Sequence, residues 1–89
     1  MYSIYKYTLA LTDKQALDLP KGSRIMAAKE QHGNIVLYAL VPVKEEGVET
    51  YAIFVHGTGH LVEAKWGDYI GTVMLHGGAL VFHVFATKQ

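Results

Sequence analysis

The chain has 89 residues, of which 51% are hydrophobic and 18% are charged, against about 25% charged residues in an average soluble domain. Eight basic and eight acidic side chains give a formal net charge of zero, which argues against binding to a nucleic acid polymer, because such proteins carry a basic excess. The absence of cysteine excludes disulfides and thiolate metal sites.

A chain this short cannot easily hide half of its residues in a single core. The surplus apolar surface has to be covered, and symmetric self-association is the commonest way to cover it. We therefore expect a homo-oligomer.

The first two thirds of the chain alternate apolar and polar residues in short runs that end at turn residues. The run at 35–43 is apolar on both faces, which predicts a central strand ending at Pro42. The charged window 44–49 reads as an exposed hairpin loop, and 56–66 as a loop or a short helical turn. Predicted strands cover residues 2–11, 15–19, 24–31, 35–43 and 50–55.

The last stretch, 70–86, consists of two apolar runs on either side of Gly77 and Gly78. Because glycine accepts positive φ, this pair predicts a tight hairpin turn. The second run, 80–85, is apolar on both faces and therefore needs cover on both faces. We expect this hairpin to supply part of the core and an interface between subunits.

Turn signals recur about every ten residues, a spacing typical of all-β sandwiches and barrels. The sequence predicts a single all-β domain over 1–89, a small antiparallel sandwich or barrel of about seven strands. The first residues lack the apolar core of a signal peptide, and no apolar run approaches the length of a membrane span. We expect a cytoplasmic protein that does not bind membranes.

Four histidines fall in the second half of the chain, at His56, His60, His76 and His83. A metal site would need three or four ligands converging at about 2 Å from one point. His56 and His60 would share a face of a helix, but the glycines between them oppose a helix there. Hydrogen bonding to the backbone at strand ends is the more ordinary role, and we expect no resident metal or cofactor.

Glycines and aromatic residues in the same region indicate a ligand site. Gly57, Thr58 and Gly59 could offer backbone N–H groups to an anion, although they also suit an ordinary turn. Trp66 and Tyr69 could stack on a nucleobase or could anchor an oligomer. Arg24, the one arginine, could clamp a phosphate or a carboxylate, or could form a surface salt bridge.

Motifs for catalysis are missing from the sequence. Ser3 and Ser23 lie outside any G-x-S-x-G context, and the carboxylates are scattered rather than paired. We expect a protein that is not an enzyme, and a histidine-dependent enzyme remains as a less favoured alternative.

Several segments carry a resemblance to a known family: IYKYTL at 4–9, LPKG at 19–22, GTGH at 57–60, YIGT at 69–72 and LHGGALVFHVF at 75–85. Together they resemble a family of small bacteriophage and prophage proteins known as a domain of unknown function. The resemblance implies a phage protein that acts in the host cytoplasm. By analogy of size and class, it suggests an anti-defence protein that sequesters a nucleotide immune signal between subunits.

The first functional hypothesis is therefore a homo-oligomeric binding protein for a small nucleotide-derived ligand. The alternative is a protein–protein inhibitor or structural accessory protein that docks a host or phage protein through its apolar hairpin. The predicted ligand-binding residues are Arg24, His56, Gly57, Thr58, Gly59, His60, Trp66, Tyr69, His76 and His83.

Overall fold

The computed structural model describes residues 1–44, 46–62 and 67–89. Within these residues the chain forms seven strands and a single 3-10 turn, so the all-β prediction is confirmed. No described helix is long and apolar enough to cross a membrane. The strands are β1 (Tyr2–Thr8), β2 (Lys14–Pro20), β3 (Arg24–Gln31), β4 (Asn34–Pro42), β5 (Val48–Gly57), β6 (Asp68–Leu75) and β7 (Leu80–Lys88).

The strands form two antiparallel sheets, one with the order β1-β4-β3 and the other with the order β2-β5-β7-β6. Hairpins join β3 to β4 and β6 to β7. The prediction that 44–49 is a hairpin loop is wrong, because β4 and β5 lie in different sheets. The chain passes from one sheet to the other between β4 and β5.

The core lies between the two sheets and is built from alternate residues of each strand, since successive side chains of a strand point to opposite faces. Removing each such side chain from water contributes about 1.5–3 kcal/mol. The largest fully buried side chains of this core are Leu19, Ile35, Leu37, Ile53, Leu75 and Val84, and Val36, on the opposite face of β4, is buried as well.

Strand β7 is an inner strand, hydrogen-bonded to β5 on one side and to β6 on the other. Phe82, Val84 and Ala86 pack into the core. His83 and Phe85 lie on the opposite, outer face and are half-buried. The apolar character of this strand on both faces thus reflects a core on one side and a partly covered aromatic surface on the other.

The turn between β6 and β7 is wider than the two-residue turn expected at Gly77 and Gly78. Leu75 pairs with Leu80, which leaves four residues between the strands. His76, Gly77 and Gly78 all have positive φ, at 52°, 66° and 96°. The Ala79 N–H donates to the His76 carbonyl at 3.3 Å and closes a 3-10 turn instead.

Strands β3 and β6 close one side of the sandwich. Each has an irregular register, between Ile25 and Ala27 in β3 and between Tyr69 and Gly71 in β6. A Cβ atom at Gly71 would lie 3.3 Å from the Ala28 carbonyl oxygen of β3. Glycine at this position therefore lets the two backbones approach closely.

Candidate functional site

A groove of about 790 Å³ lies along the outer face of the four-stranded sheet. Its walls come from β2, β5 and β7 and from the residues that follow β5. The side chains around it are aromatic, imidazole and charged, with few aliphatic groups. They are Asp13, Lys14, Phe54, His56, His60, Leu61, Gly67, Thr87 and Gln89.

The floor of the groove is aromatic. The rings of Phe54 and His56, on the same face of β5, are nearly parallel, with centroids 6.3 Å apart and an angle of 14°. Phe85 of β7 lies on the other side of His56 at 6.3 Å. The Lys14 ammonium stands 5.7 Å from the Phe54 ring centroid, within cation–π range. The floor therefore places flat rings next to a positive charge.

The two histidines of the groove differ in their hydrogen bonding. The His56 ring makes no hydrogen bond to a described residue. The Gly57 N–H donates to Nδ1 of His60 at 3.3 Å. An accepting ring nitrogen carries no proton, so the proton of neutral His60 resides on Nε2. His60 can thus donate to a ligand.

Gly57 allows this arrangement by having no side chain. A Cβ atom at this position would lie 2.8 Å from Cε1 of the His60 ring, closer than real Cβ atoms pack. The glycine thus permits the imidazole to lie against the backbone.

Backbone N–H groups of the 57–60 loop are mostly paired within the protein. The Thr58 N–H donates to the Val81 carbonyl at 3.2 Å, and the His60 N–H donates to the Gly57 carbonyl at 3.1 Å. Because the Gly57 N–H donates to His60, the loop does not offer the run of unpaired N–H donors that was expected to bind an anion. Gly59, at φ 87°, serves the turn.

His83 is held by hydroxyl groups on both sides of its ring. Nε2 lies 2.8 Å from Oγ1 of Thr58, and Nδ1 lies 3.0 Å from Oγ1 of Thr72. Thr72 is in turn 2.5 Å from the Tyr69 hydroxyl. This hydrogen-bonded chain links β6, β7 and the loop after β5, so both nitrogens of His83 are already engaged.

The other predicted site residues lie elsewhere. Arg24 and Tyr69 line a second cleft, of about 430 Å³, with Asp68 and Lys88. His76 lies in the exposed turn between β6 and β7. Trp66 lies outside the described residues. No group of three potential metal ligands occurs in the described parts of the chain.

Seven residues of the groove lie outside the predicted ligand-binding set: Asp13, Lys14, Phe54, Leu61, Gly67, Thr87 and Gln89. Phe54 could have been identified from the sequence, since it lies in the predicted strand 50–55, two residues before His56. Lys14 lies directly opposite Phe54 in the pairing of β2 with β5. The pairing of β2 with β5 joins strands that are far apart in the sequence, and no turn connects the two strands to indicate it.

Fold and groove together define a small antiparallel β-sandwich with an aromatic, partly cationic groove on one outer face. The chain belongs to the family described as domain of unknown function DUF7352, whose model matches residues 1–89. No curated protein and no solved structure matches the chain.

Proposed function

We propose that this protein is a binding protein for a small nucleotide-type ligand, a molecule with a flat aromatic ring and an anionic group. The observation that carries the proposal is the parallel pair of Phe54 and His56 with the Lys14 ammonium beside it. Stacking on such a surface contributes about 1–3 kcal/mol per base, and the ammonium complements a phosphate.

The polar groups of the groove extend this mode of binding. The Nε2–H of His60 donates to a phosphate oxygen, and the Asp13 carboxylate accepts from an amino group on the base. Binding without chemistry is favoured because the sequence contains no catalytic motif, with its serines outside any G-x-S-x-G context and its carboxylates scattered. We therefore propose a protein that holds its ligand and does not transform it.

Titration with AMP, adenosine and inorganic phosphate tests the proposal, with calorimetry as the measurement. AMP should bind more tightly than either fragment. Lys14→Gln should weaken AMP binding by up to about fivefold, the value of an exposed charge pair, and should leave adenosine binding unchanged. Lys29→Gln makes the same charge change on an exposed residue of β3, outside the groove, and should bind like the unmodified protein.

Native mass spectrometry of protein purified from bacteria supplies a second measurement that assumes no particular ligand. A retained mass of nucleotide size supports the proposal. Protein that carries no such mass, and whose melting temperature does not move with linear or cyclic nucleotides, contradicts it.

The biological setting that we propose follows from the resemblance to phage and prophage proteins. In it, a homo-oligomer acts in the host cytoplasm and sequesters a nucleotide immune signal. The apolar surplus of the composition supports self-association. Bacteria that produce the protein should then lose a nucleotide-signalled defence, whereas those producing the Lys14→Gln form should keep more of it.

A second candidate function is docking of a host or phage protein through the β6–β7 hairpin. The observation that favours it is the exposure of Tyr69, Met74 and Leu80 on this hairpin. Met74→Lys separates the two candidates, because it should abolish docking while AMP binding in the groove persists.

A further inference from the structure

Strand β1 is an open edge of the three-stranded sheet, where β4 is its one neighbour among the described strands. The Val43 N–H donates to the Met1 carbonyl at 3.0 Å, and the Leu9 N–H donates to the Ile35 carbonyl at 2.9 Å. In an antiparallel pair the hydrogen-bonded residues alternate, so the odd-numbered residues of β1 bond to β4. The even-numbered residues direct their N–H and C=O groups away from the sheet. They are Tyr2, Ile4, Lys6 and Thr8.

Apolar side chains are exposed along this edge on both faces of the sheet. Tyr2 and Ile4 are 57% and 58% exposed on the outer face, and Tyr5 is 52% exposed on the opposite face. A long edge strand with unpaired backbone groups and exposed apolar side chains is a template for pairing with another strand.

Each of the other three sheet edges has a feature that hinders pairing with another strand, and β1 has no such feature. The outward-directed residues of β2 include Pro20, which has no N–H to offer. The irregular strands β3 and β6 cover one another where Gly71 meets Ala28. Bulges and proline are the usual means by which sheets avoid unwanted pairing.

The charge of Lys6 does not protect the edge, because its side chain points away from it. Its Nζ donates to Oε1 of Gln31 at 2.5 Å. Gln31 belongs to β3, on the far side of β4 from β1. The ammonium therefore lies back over its own sheet and leaves the edge accessible.

We propose that β1 pairs antiparallel with β1 of a second copy, which joins two three-stranded sheets into one of six strands. A second copy fits because the strand complements itself about a two-fold axis at Tyr5. In this register Ile4 lies opposite the partner's Lys6, and Tyr2 lies opposite the partner's Thr8. All four outward residues then form hydrogen bonds, and no lysine faces a lysine.

The two neighbouring registers would give a less stable pairing of the two strands. Moving the axis to Lys6 sets two ammonium groups against each other, which destabilises a cross-strand pair. Moving it to Ile4 leaves Thr8 without a partner. With the axis at Tyr5, the two tyrosine rings face each other, and aromatic cross-strand pairs are among the favourable ones.

This interface goes beyond the proposed ligand groove, which lies on the other sheet. It also differs from the β6–β7 hairpin expected from the sequence. Failure of AMP binding would leave the edge pairing intact, and loss of the dimer would leave the groove of each subunit unchanged.

Two variants test the interface by sedimentation over a wide concentration range. Ile4→Pro removes an outward N–H that the protomer does not use, and proline is tolerated at such edge positions. Tyr5→Lys places two charges across the axis while its backbone bonds to β4 remain. Each should raise the dissociation constant about tenfold or more. Leu11→Lys, at a residue 58% exposed beyond the end of β1, is the matched control and should behave like the unmodified protein.

The unmodified protein should sediment with at least twice the 9.9 kDa mass of one chain. A single-chain mass overturns the proposal, and so does an assembly that persists in both variants. Hydrogen exchange on the unmodified protein gives an independent readout that needs no variant. Pairing should protect the amides of Ile4 and Lys6 as well as those of Ser3 and Tyr5, whereas rapid exchange at the even-numbered positions in the assembled protein would falsify the interface.

Discussion

At residue scale, Gly67 and Gly33 share a backbone conformation and differ in their surroundings. Both have φ of 82°, where an L-residue costs about 1–2 kcal/mol. A Cβ atom at Gly33 would meet nothing within 4 Å, whereas one at Gly67 would lie 2.7 Å from the Ala86 carbonyl carbon. Glycine is therefore required at position 67 for two reasons, which are the positive φ of the turn and the close approach of the backbone to β7.

We expect Gly67→Ala to lower the free energy of unfolding by about 1–3 kcal/mol more than Gly33→Ala does, because overpacking adds to the backbone strain. Chemical denaturation of both variants and of the unmodified protein measures this difference. Equal losses at the two positions would show that the contact with Ala86 is relieved at no cost.

Glu49 is a carboxylate whose partners favour its charged form. The Gly22 N–H donates to Oε1 at 3.1 Å, and the Lys88 Nζ donates to Oε2 at 3.4 Å. The backbone hydrogen bond from Gly22, followed by the interactions with Lys88, lowers the pKa of Glu49 below its ordinary 4.5. A carboxylate with a lowered folded-state pKa stabilises the protein above its unfolded pKa, and this contribution disappears as the pH falls through the folded pKa.

Glu49→Gln should therefore destabilise the protein at neutral pH, and its stability should approach that of the unmodified protein as the pH falls from 4.5 through the lowered folded-state pKa. Urea unfolding across this pH range measures both curves. Glu46→Gln makes the same charge change on an exposed side chain without a hydrogen bond to a described residue. Parallel curves for Glu49→Gln and the unmodified protein would contradict the role given to Gly22 and Lys88.

At the scale of elements, the chain from Thr58 through His83 and Thr72 to Tyr69 ties the end of β5 to β7 and β6. Its members come from three parts of the sequence and meet because Thr72 lies directly opposite His83 in the β6–β7 register. His83 therefore differs from the prediction of backbone hydrogen bonding at strand ends, because it lies within β7 and its ring nitrogens bond to threonine hydroxyls.

Thr72→Val should lower the free energy of unfolding by about 0.5–1.5 kcal/mol, the net contribution of a hydrogen bond. The same replacement at Thr8, on exposed edge strand β1, removes a hydroxyl that bonds to no described residue and serves as the control. Thermal or urea denaturation compares the two. Thr72→Val as stable as Thr8→Val would mean that the hydroxyl of Thr72 contributes nothing to cohesion of the sheet.

Strand positions could be predicted well because alternation and turn residues are local signals. The predicted strand over 24–31 matches β3 at both ends. Strand partners could not be predicted in the same way. Nothing near residues 44–49 distinguishes a hairpin loop from a passage between sheets, since that depends on the register of distant strands.

At the scale of the whole molecule, the residues of the groove could be predicted only in part, for the same reason. His56 and His60 were identified from composition and spacing, and both line it. Arg24 was expected there and instead lies in the second cleft, because β3 belongs to the other sheet. Lys14 enters the groove through the pairing of β2 with β5. A residue's distance from the site along the chain therefore says little about its distance in space.

The inner position of β7 has a consequence for synthesis of the chain. The ribosome makes β5 and β6 first, and within the four-stranded sheet neither is adjacent to the other. Until residues 80–88 emerge, β6 has no neighbour in its sheet and one edge of β5 is bare. A chain in which β7 has not yet docked therefore exposes strand edges, and such a state is prone to aggregation. Docking of β7 between β5 and β6 covers both edges.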